Sequence, residues 1–271
     1  MDKKRREFLK IAGVSTLAGL GGIAVAERFV SGASPASSRA ETGVEPGLGS
    51  SQVTNPKDTT PTKRLGMVID LSRFKNDPSL VGKVISACHT NHNVPNFPDE
   101  EDAVKWVSGI DYEIAFGEQS PDYTEVLVLC NHCDNPPCVE DCPTRATFID
   151  NNGIVAIDYH RCIGCRFCVA ACPYGMRSFN WRDPREGLDM NTLNREFPTR
   201  RRGVVENCNF CAERLGRGQM PACVEVTSEA RAIVVGDLND PNSEINIILG
   251  STETKQRMPL LGTNPSVFYI V

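Results

Sequence analysis

The segment Cys162–Pro173 spaces four cysteines as C-x2-C-x2-C-x3-C-P, and this spacing constrains the chain more than any other feature. Three thiolates on one short loop can hold one side of an iron–sulfur cubane. The fourth cysteine of such a run, which precedes proline, ligates a different cluster. A second run must therefore exist, and it lies upstream in Cys130–Pro143 with the spacing C-x2-C-x4-C-x3-C-P. The two runs predict two [4Fe-4S] clusters that exchange their fourth ligands.

This exchange divides eight cysteines into two sets of four. The first set consists of Cys130, Cys133, Cys138 and Cys172. The second set consists of Cys162, Cys165, Cys168 and Cys142. Each set is a complete ligand shell for one cluster.

Three other uses of cysteine compete with this interpretation. A disulfide framework is typical of small exported domains, whereas this chain is long enough to bury a substantial core. Structural zinc prefers two cysteine pairs rather than a triplet with a fourth cysteine before proline. Inert buried cysteine predicts no regular spacing. The spacing favours iron–sulfur ligation over all three.

Four of the twelve cysteines lie outside the two runs, and they predict a third set. Cys208, Cys211 and Cys223 form an incomplete run, because Thr227 stands where its fourth cysteine would be. Cys88 is the reverse case, since a run ending there would need three more cysteines where the chain has Pro78, Val81 and Val84. The two defects are complementary. Cys88, Cys208, Cys211 and Cys223 complete a third cluster, and the four missing ligands are those of a single lost fourth cluster.

The N-terminal segment 1–26 is typical of a twin-arginine export signal. Arg5 and Arg6 precede Phe-Leu-Lys, and a short apolar stretch ends in Ala24-Val25-Ala26, which suits signal cleavage. The alternatives are an amphipathic basic helix and an uncleaved anchor. Residues 27–63 are rich in Ser, Gly, Pro and Thr, which predicts a disordered linker or a strap across a partner.

Short apolar runs and turn signals predict an α+β fold of nested two-cluster modules with extra loops. Strands are expected at 67–70, 126–129, 232–235 and 267–270, and a helix at 78–89. A hairpin over 147–157 separates the two complete cysteine runs. The segment 181–203 reads as an exposed excursion. These elements give an inner module over about 126–180 and an outer module over about 64–125 plus 203–271.

Outside the cysteines the sequence offers no catalytic constellation. The four histidines all adjoin cysteine motifs, and we interpret them as surface residues or as neighbours of cluster ligands. Arg166, Arg177 and Arg182 lie near the runs, with solvated surface positions as the default expectation. The net charge of −5 indicates no nucleic-acid partner. No enzymatic activity is expected of this chain alone.

With these motifs in place, residues 64–271 resemble the four-cluster ferredoxin subunits of membrane-bound oxidoreductases. That family includes the electron-transfer subunits of polysulfide and dimethyl sulfoxide reductases and the NrfC-like proteins. Recurring stretches of the family match Ala87–Pro95, Gly236–Pro241 and Gly262–Tyr269. The separate signal and Arg177–Pro184 favour the branch that serves the membrane complex associated with dissimilatory sulfite reduction.

The resemblance implies an electron relay that carries three [4Fe-4S] clusters in the periplasm. Its implied partners are an NrfD-like, quinone-reactive integral membrane subunit and c-type haems, with membrane association only through them. The lost fourth cluster is the departure from the family pattern. The alternatives are an electron-transfer subunit of a molybdopterin oxidoreductase or of an NrfC-type nitrite reductase system, and an enzyme with an open iron site.

Overall fold

The computed structural model describes residues 61–271, which belong to one compact unit. The segment predicted to be a twin-arginine signal, with its predicted cleavage site, and residues 27–60 of the predicted linker lie outside the described residues. The last linker residues are held in place, because the Lys63 amide donates to the Asn151 carbonyl at 3.2 Å.

The described chain alternates short strands with short helices, as an α+β fold requires. The strands are Leu65–Asp70 (β1), Val107–Asp111 (β2), Glu125–Leu129 (β3), Thr147–Ile149 (β4), Val155–Ile157 (β5), Ser178–Phe179 (β6), Val205–Glu206 (β7), Ile233–Asp237 (β8), Thr254–Lys255 (β9) and Val267–Ile270 (β10). The α-helices are Leu71–Asn76 (α1), Ser79–His92 (α2), Tyr112–Phe116 (α3), Pro137–Glu140 (α4), Phe167–Ala171 (α5), Ala212–Leu215 (α6), Ala222–Val226 (α7) and Glu244–Ser251 (α8). Short 3-10 turns occupy Glu100–Asp102, Pro184–Gly187 and Pro259–Leu261.

A four-stranded sheet in the order β8-β1-β10-β9 joins the beginning and the end of the described chain. β1 pairs in parallel with β10, with Met67 opposite Val267, and antiparallel with β8. The consecutive residues Met67, Val68 and Ile69 of β1 are all buried, and because successive side chains of a strand point to opposite faces, both faces of β1 are covered.

Three two-stranded antiparallel sheets adjoin the cysteine segments. β2 pairs with β3, which runs directly into Cys130. β4 pairs with β5 between the two complete runs, and its turn is closed by Gly153 at a φ of +76°. β6 pairs with β7, which leads into the Cys208 run. Each run of thiols therefore starts from, or ends at, a hydrogen-bonded ribbon.

The thiols are part of the hydrophobic core rather than additions to its surface. The larger cluster of buried residues contains five cysteines: Cys88, Cys130, Cys133, Cys208 and Cys223. A smaller cluster groups Cys138 and Cys168 with Val155 and Val205. Packing of the core and placement of the thiols are thus one problem for this fold.

The structure confirms the predicted α+β class and corrects one local expectation. The segment 181–203 is not wholly an exposed excursion, because Phe197 and Arg200 within it are buried. The Arg200 guanidinium donates to the carbonyls of His92 and Asn93 and forms an ion pair with Glu206 at 2.7 Å. This buried cation fastens the segment to the end of α2.

Within residues 61–271, no helix combines the length and the apolar character needed to cross a membrane.

Candidate metal centre

The first Cys-x2-Cys pair of each of the three cysteine runs has one backbone feature in common. The residue before the second cysteine is left-handed in each loop: His132 at φ +43°, Gly164 at +69° and Phe210 at +58°. For a residue with a side chain this conformation costs about 1 kcal/mol, so the surrounding packing must hold it. The turn brings backbone amides towards sulfur, and the Phe210 amide donates to Cys208 Sγ at 3.4 Å.

The first set of thiols lies in the protein interior. Burial raises the pKa of Cys130 to about 12, and the nearby thiols of Cys172 and Cys133 also raise it. Burial raises the pKa of Cys138 to about 12, with Cys130 and Cys172 as neighbours. The structure therefore brings the fourth cysteine of the downstream run to the triplet of the upstream run.

The second set lies nearer to the surface. Burial raises the pKa of Cys168, and the thiols of Cys162 and Cys142 raise it further. Cys165 lies on the same loop, and only Cys168 of the four is fully buried. Cys142 has a lowered pKa, because hydrogen bonds from backbone amides, that of Thr147 first, outweigh the effect of its partial burial.

The third set combines a helix of the first half of the chain with a loop of the second half. Cys88 lies on the buried face of α2, and all four thiols of the set are buried. Burial raises the pKa of Cys223 to about 12, and the neighbouring thiol of Cys88 raises it further. Burial also raises the pKa of Cys208, followed by the effects of Cys88 and Cys211.

The three sets follow one another in space. Cys130 of the first set is near enough to Cys208 of the third to raise the pKa of that thiol. On the other side, Cys168 of the second set raises the pKa of Cys138 of the first. The first set thus lies between the third, which is the most buried, and the second, which is the most exposed.

Arg177 lies at the junction of the first and second sets, and its burial corrects the default expectation of a solvated arginine. Its pKa is raised even though burial opposes this, because the thiols of Cys138, Cys130, Cys168 and Cys172 surround it. Its Nη1 donates to Thr147 Oγ1 at 3.2 Å, and its Nη2 has no partner among the described residues. A fixed positive charge aimed into a group of thiols fits negatively charged thiolates there.

His92 lies beside the third set and connects it to the buried network around Arg200. Its Nδ1 lies 2.8 Å from the Cys88 carbonyl oxygen, and its Nε2 lies 2.9 Å from Glu213 Oε1. The ring stacks on Trp106 with centroids 4.5 Å apart. His92, Glu213 and Cys211 place their ligand atoms within 4.8 Å of one another, but Cys211 belongs to the thiol set and His92 is already hydrogen-bonded.

His132 and His160 have different environments. Burial lowers the pKa of His132 to about 3, and the charge of Arg177 also lowers it. Its Nδ1 accepts the Val155 amide at 3.1 Å, so the neutral ring connects the first thiol loop to β5. The His160 side chain is 99% exposed, which leaves it outside the thiol sets.

The positions expected for a fourth cluster are occupied by other side chains. Val84 is fully buried, and Thr227 is 1% exposed. The Thr227 hydroxyl donates to the Cys223 carbonyl at 2.9 Å, which turns it away from a ligand role. α2 and α7 pack against each other at this point.

The donor chemistry of the site fits iron–sulfur clusters. All twelve cysteines are free, so the structure does not support the disulfide alternative. Soft thiolate donors in sets of four, with backbone amides directed at sulfur, suit iron–sulfur ligation. Burial favours the protonated form of these thiols in the absence of metal. Binding of iron would therefore release protons from the thiols that become ligands.

Comparisons with known proteins agree with this chemistry. The family model of the 4Fe-4S dicluster domain matches residues 123–187. An Hdr-like menaquinol oxidoreductase iron-sulfur subunit 1 from Archaeoglobus fulgidus is 39% identical over 80% of this chain and 87% of its own length. The iron-sulfur cluster-binding subunit of a menaquinone reductase from Nitratidesulfovibrio vulgaris is 37% identical over 76% of this chain and 88% of its own.

A third relative extends the comparison to another kind of reductase. The arsenate respiratory reductase iron-sulfur subunit ArrB from a Shewanella species is 36% identical over 76% of this chain and 96% of its own length. The matches cover most of this chain and nearly the whole of these relatives. The chain therefore belongs to the family of 4Fe-4S iron–sulfur electron-transfer subunits of reductase complexes that includes these menaquinol, menaquinone and arsenate reductase subunits.

Proposed function

We propose that this chain holds three [4Fe-4S] clusters and relays electrons between a quinone-reactive, NrfD-like membrane subunit and c-type haem partners. Each cluster would supply the storage of a single electron. The complex we favour is the one associated with dissimilatory sulfite reduction, in which this chain would be the counterpart of DsrO. Of the relatives, two carry menaquinol or menaquinone in their names, which supports a quinone-linked partner.

The observation that carries the count of three is the complementary repair of two incomplete runs. Cys88 on α2 lies beside Cys208 and Cys223. The run that has only three cysteines would therefore obtain its fourth thiol from Cys88. Val84 and Thr227 fill the positions that a fourth cluster would need. The proposed ligands are Cys130, Cys133, Cys138 and Cys172; Cys162, Cys165, Cys168 and Cys142; and Cys208, Cys211, Cys223 and Cys88.

The order of the thiol sets supports a relay rather than storage at separate sites. The first set is adjacent to both others, so it would be the middle station of the path. Arg177 separates the first and second sets with a buried positive charge, which favours the reduced state of both. Electrons would enter and leave at the two ends, at the third and second sets.

Iron and acid-labile sulfide analysis of anaerobically purified protein tests the count. The expected result is about twelve iron atoms per chain, since each complete cubane holds four. A content near sixteen would require a fourth cluster, and a content near eight would remove the third. Either value would contradict the ligand sets proposed here.

A second candidate function is supported by one comparison. The arsenate reductase subunit matches this chain over nearly its whole length, so an electron-transfer subunit of a molybdopterin oxidoreductase is the alternative. Affinity purification from solubilised membranes separates the two. A multi-span subunit and a c-type cytochrome are expected to copurify, whereas a molybdopterin protein would favour the alternative.

The proposal includes export by the twin-arginine route, in which the folded, cluster-loaded chain reaches the periplasm. Replacement of Arg5 and Arg6 by lysine is expected to retain the protein in the cytoplasm with its iron content unchanged. Normal delivery of the double variant to the periplasm would contradict this route.

A further inference from the structure

The most exposed thiol set is surrounded by large apolar side chains that the core does not use. Ile163 and Phe167 lie within the cysteine loop itself, and their side chains are 67% and 59% exposed. Trp181, 47% exposed, packs edge-on against Phe179 with ring centroids 4.6 Å apart. Large apolar side chains exposed together are typical of a surface that another molecule covers.

Arginines accompany these apolar side chains. Arg166 lies between Cys165 and Cys168 in the left-handed conformation, and its guanidinium carbon lies 4.6 Å from the ring centre of Trp181. Arg201 and Arg202 are exposed and lead into Gly203, whose amide donates to the Asn180 carbonyl at 2.9 Å. Gly203 also lies directly against Gly164 of the cysteine loop. Arg166 and the pair Arg201 and Arg202 therefore lie on two segments that meet where Gly164 approaches Gly203.

These charges are not neutralised from within the described part of the chain. Arg166, Arg201 and Arg202 form no ion pair with a described carboxylate. Other exposed arginines do, such as Arg161 with Asp158 at 3.3 Å and Arg182 with Glu186 at 2.9 Å. In a chain of net charge −5, unpaired positive charge gathered around one redox site is selective.

We propose that Ile163, Phe167, Trp181, Arg166, Arg201 and Arg202 form a docking surface, the Trp181 patch, for a haem protein with an acidic face. The inference rests on the proposed function, which supplies an electron at the second thiol set. In the transfer, the reduced chain loses one electron and a ferric haem gains it, and no bond or proton changes place. The patch combines exposed apolar side chains with positive charge, and complementary charge on a partner speeds association and favours the correct partner.

Binding can be tested without any electron transfer. The oxidised, cluster-loaded protein is titrated with two ferric c-type cytochromes, one with an acidic haem-edge surface and one with a basic surface. The acidic cytochrome is expected to bind more tightly, with an affinity that falls as salt rises. Arg201→Glu and Arg202→Glu should each weaken this binding about threefold or more, and the double variant about tenfold or more at low ionic strength.

Matched controls separate the patch from a general effect of charge or exposed apolar surface. Arg195→Glu makes the same charge change at another exposed arginine that forms no ion pair with a described carboxylate, and it should leave binding unchanged. Trp181→Ala should weaken binding. Leu260→Ala, which alters a 99% exposed leucine in a different apolar surface, should not. Stopped-flow rates of electron transfer to the acidic cytochrome should follow the same order.

Several outcomes would overturn the assignment. Equal binding of the two cytochromes, insensitivity to the Trp181 patch variants, or dependence on Leu260 instead would each refute it. Patch variants that lose binding to phosphatidylglycerol vesicles but keep binding to the cytochrome would assign the surface to a membrane. Iron content and dye reduction of every variant are measured in parallel. Loss of these in the wild-type protein would refute the proposed function itself, whereas unaltered values with failed docking would refute only the patch.

Discussion

A single buried cation links two of the thiol sets. Arg177 is 4% exposed, lies among four cysteines, and donates a hydrogen bond to Thr147. In water such a charge would be screened, but in the protein interior it stabilises negative charge on the neighbouring thiol sets. Its sequence context, Met176-Arg177-Ser178, gives no sign of burial, and the residue reads as an ordinary surface arginine. Burial of a cation becomes intelligible only when the thiolates it faces are known.

We expect Arg177→Met to lower the reduction potential of the first and second sets by on the order of 100 mV. Removal of a charge about 6 Å away at an effective dielectric constant of about 20 costs the added electron about 3 kcal/mol. Redox titration followed by EPR measures the shift. The third set provides an internal reference, and Arg177→Lys should restore most of the potential. Equal shifts in all three sets, or none, would contradict the placement of this charge.

Gly164 permits the cysteine loop to approach the chain at Gly203. Its φ is +69°, and an added Cβ would overlap the Gly203 carbonyl oxygen and lie 3.0 Å from the Phe179 ring. Gly164→Ala is therefore expected to reduce iron in the second set and to destabilise the protein well beyond the backbone cost. The matched control is Gly175→Ala, which has a φ of +67° but no neighbour within 4 Å of the added atom.

The control substitution should cost only about 1 kcal/mol, the cost of a left-handed backbone with a side chain. Denaturant unfolding and iron analysis of the two variants give the comparison. If both lost the same stability, steric contact with Gly203 would not be the reason for the glycine.

At the scale of elements, α2 supplies the thiol that completes the third set. The helix ends where Asn93 adopts φ +49°, and the Asn93 side chain donates to the carbonyls of Asn194 and Phe197. Cys88 and His92, four residues apart, share its buried face. α2 is thus anchored at its C-terminus by the same segment that carries Arg200.

We expect Cys88→Ser to damage the third set alone, with the EPR signals of the first and second sets retained. The reason is that Cys88 lies beside Cys208 and Cys223 and has no cysteine neighbour in the sequence. Thr227→Cys is the complementary variant, and it should not create a fourth cluster, since Val84 and its neighbours offer no thiolate. Unchanged iron content in Cys88→Ser would show that this thiol is not a ligand.

Elements with a strong local pattern were predictable, and those that depend on partners were not. The apolar runs of β1, β3, β8 and β10 predict strands, and the structure has them within two residues at either end. The strand β2, Val107–Asp111, contains a glycine and a serine and has no apolar pattern that predicts a strand. Its pairing with β3 stabilises it instead. The burial of Phe197 and Arg200 is likewise not predictable from the local sequence. Their burial depends on His92, Trp106 and Glu206, which lie far away in sequence.

The proposed ligand sets rest on the spacing of cysteines, which cluster chemistry constrains. Spacing says which thiols share a set, but it does not say which sets are neighbours. The order third–first–second depends on contacts such as Cys130 with Cys208, between segments that no spacing rule relates. The Trp181 patch is likewise not predictable from the sequence, because cysteine spacing does not indicate that Ile163 and Phe167 are exposed.

At the scale of the whole molecule, cluster loading and folding should be coupled. Cysteines belong to both hydrophobic clusters of buried residues, and the left-handed residues of the thiol loops are costly without ligation. We expect chelation of iron to lower the thermal midpoint and to increase amide hydrogen exchange around β4, β5 and the thiol loops. The β8-β1-β10-β9 sheet should keep its protection longer. Identical melting of the loaded and iron-free protein would contradict this coupling.

The parallel pairing of β1 with β10 sets a timetable for synthesis. Their partners, such as Met67 and Val267, are about 200 residues apart, so β1 must wait for nearly the whole chain before its sheet can close. The thiols of the first and second sets are all present once Cys172 has been translated, whereas the third set waits for Cys223. A nascent chain would therefore present two complete sets of thiols while Cys88 is still alone. β10 is translated after all twelve cysteines, so the sheet that it completes forms only when the thiols of every set are already available.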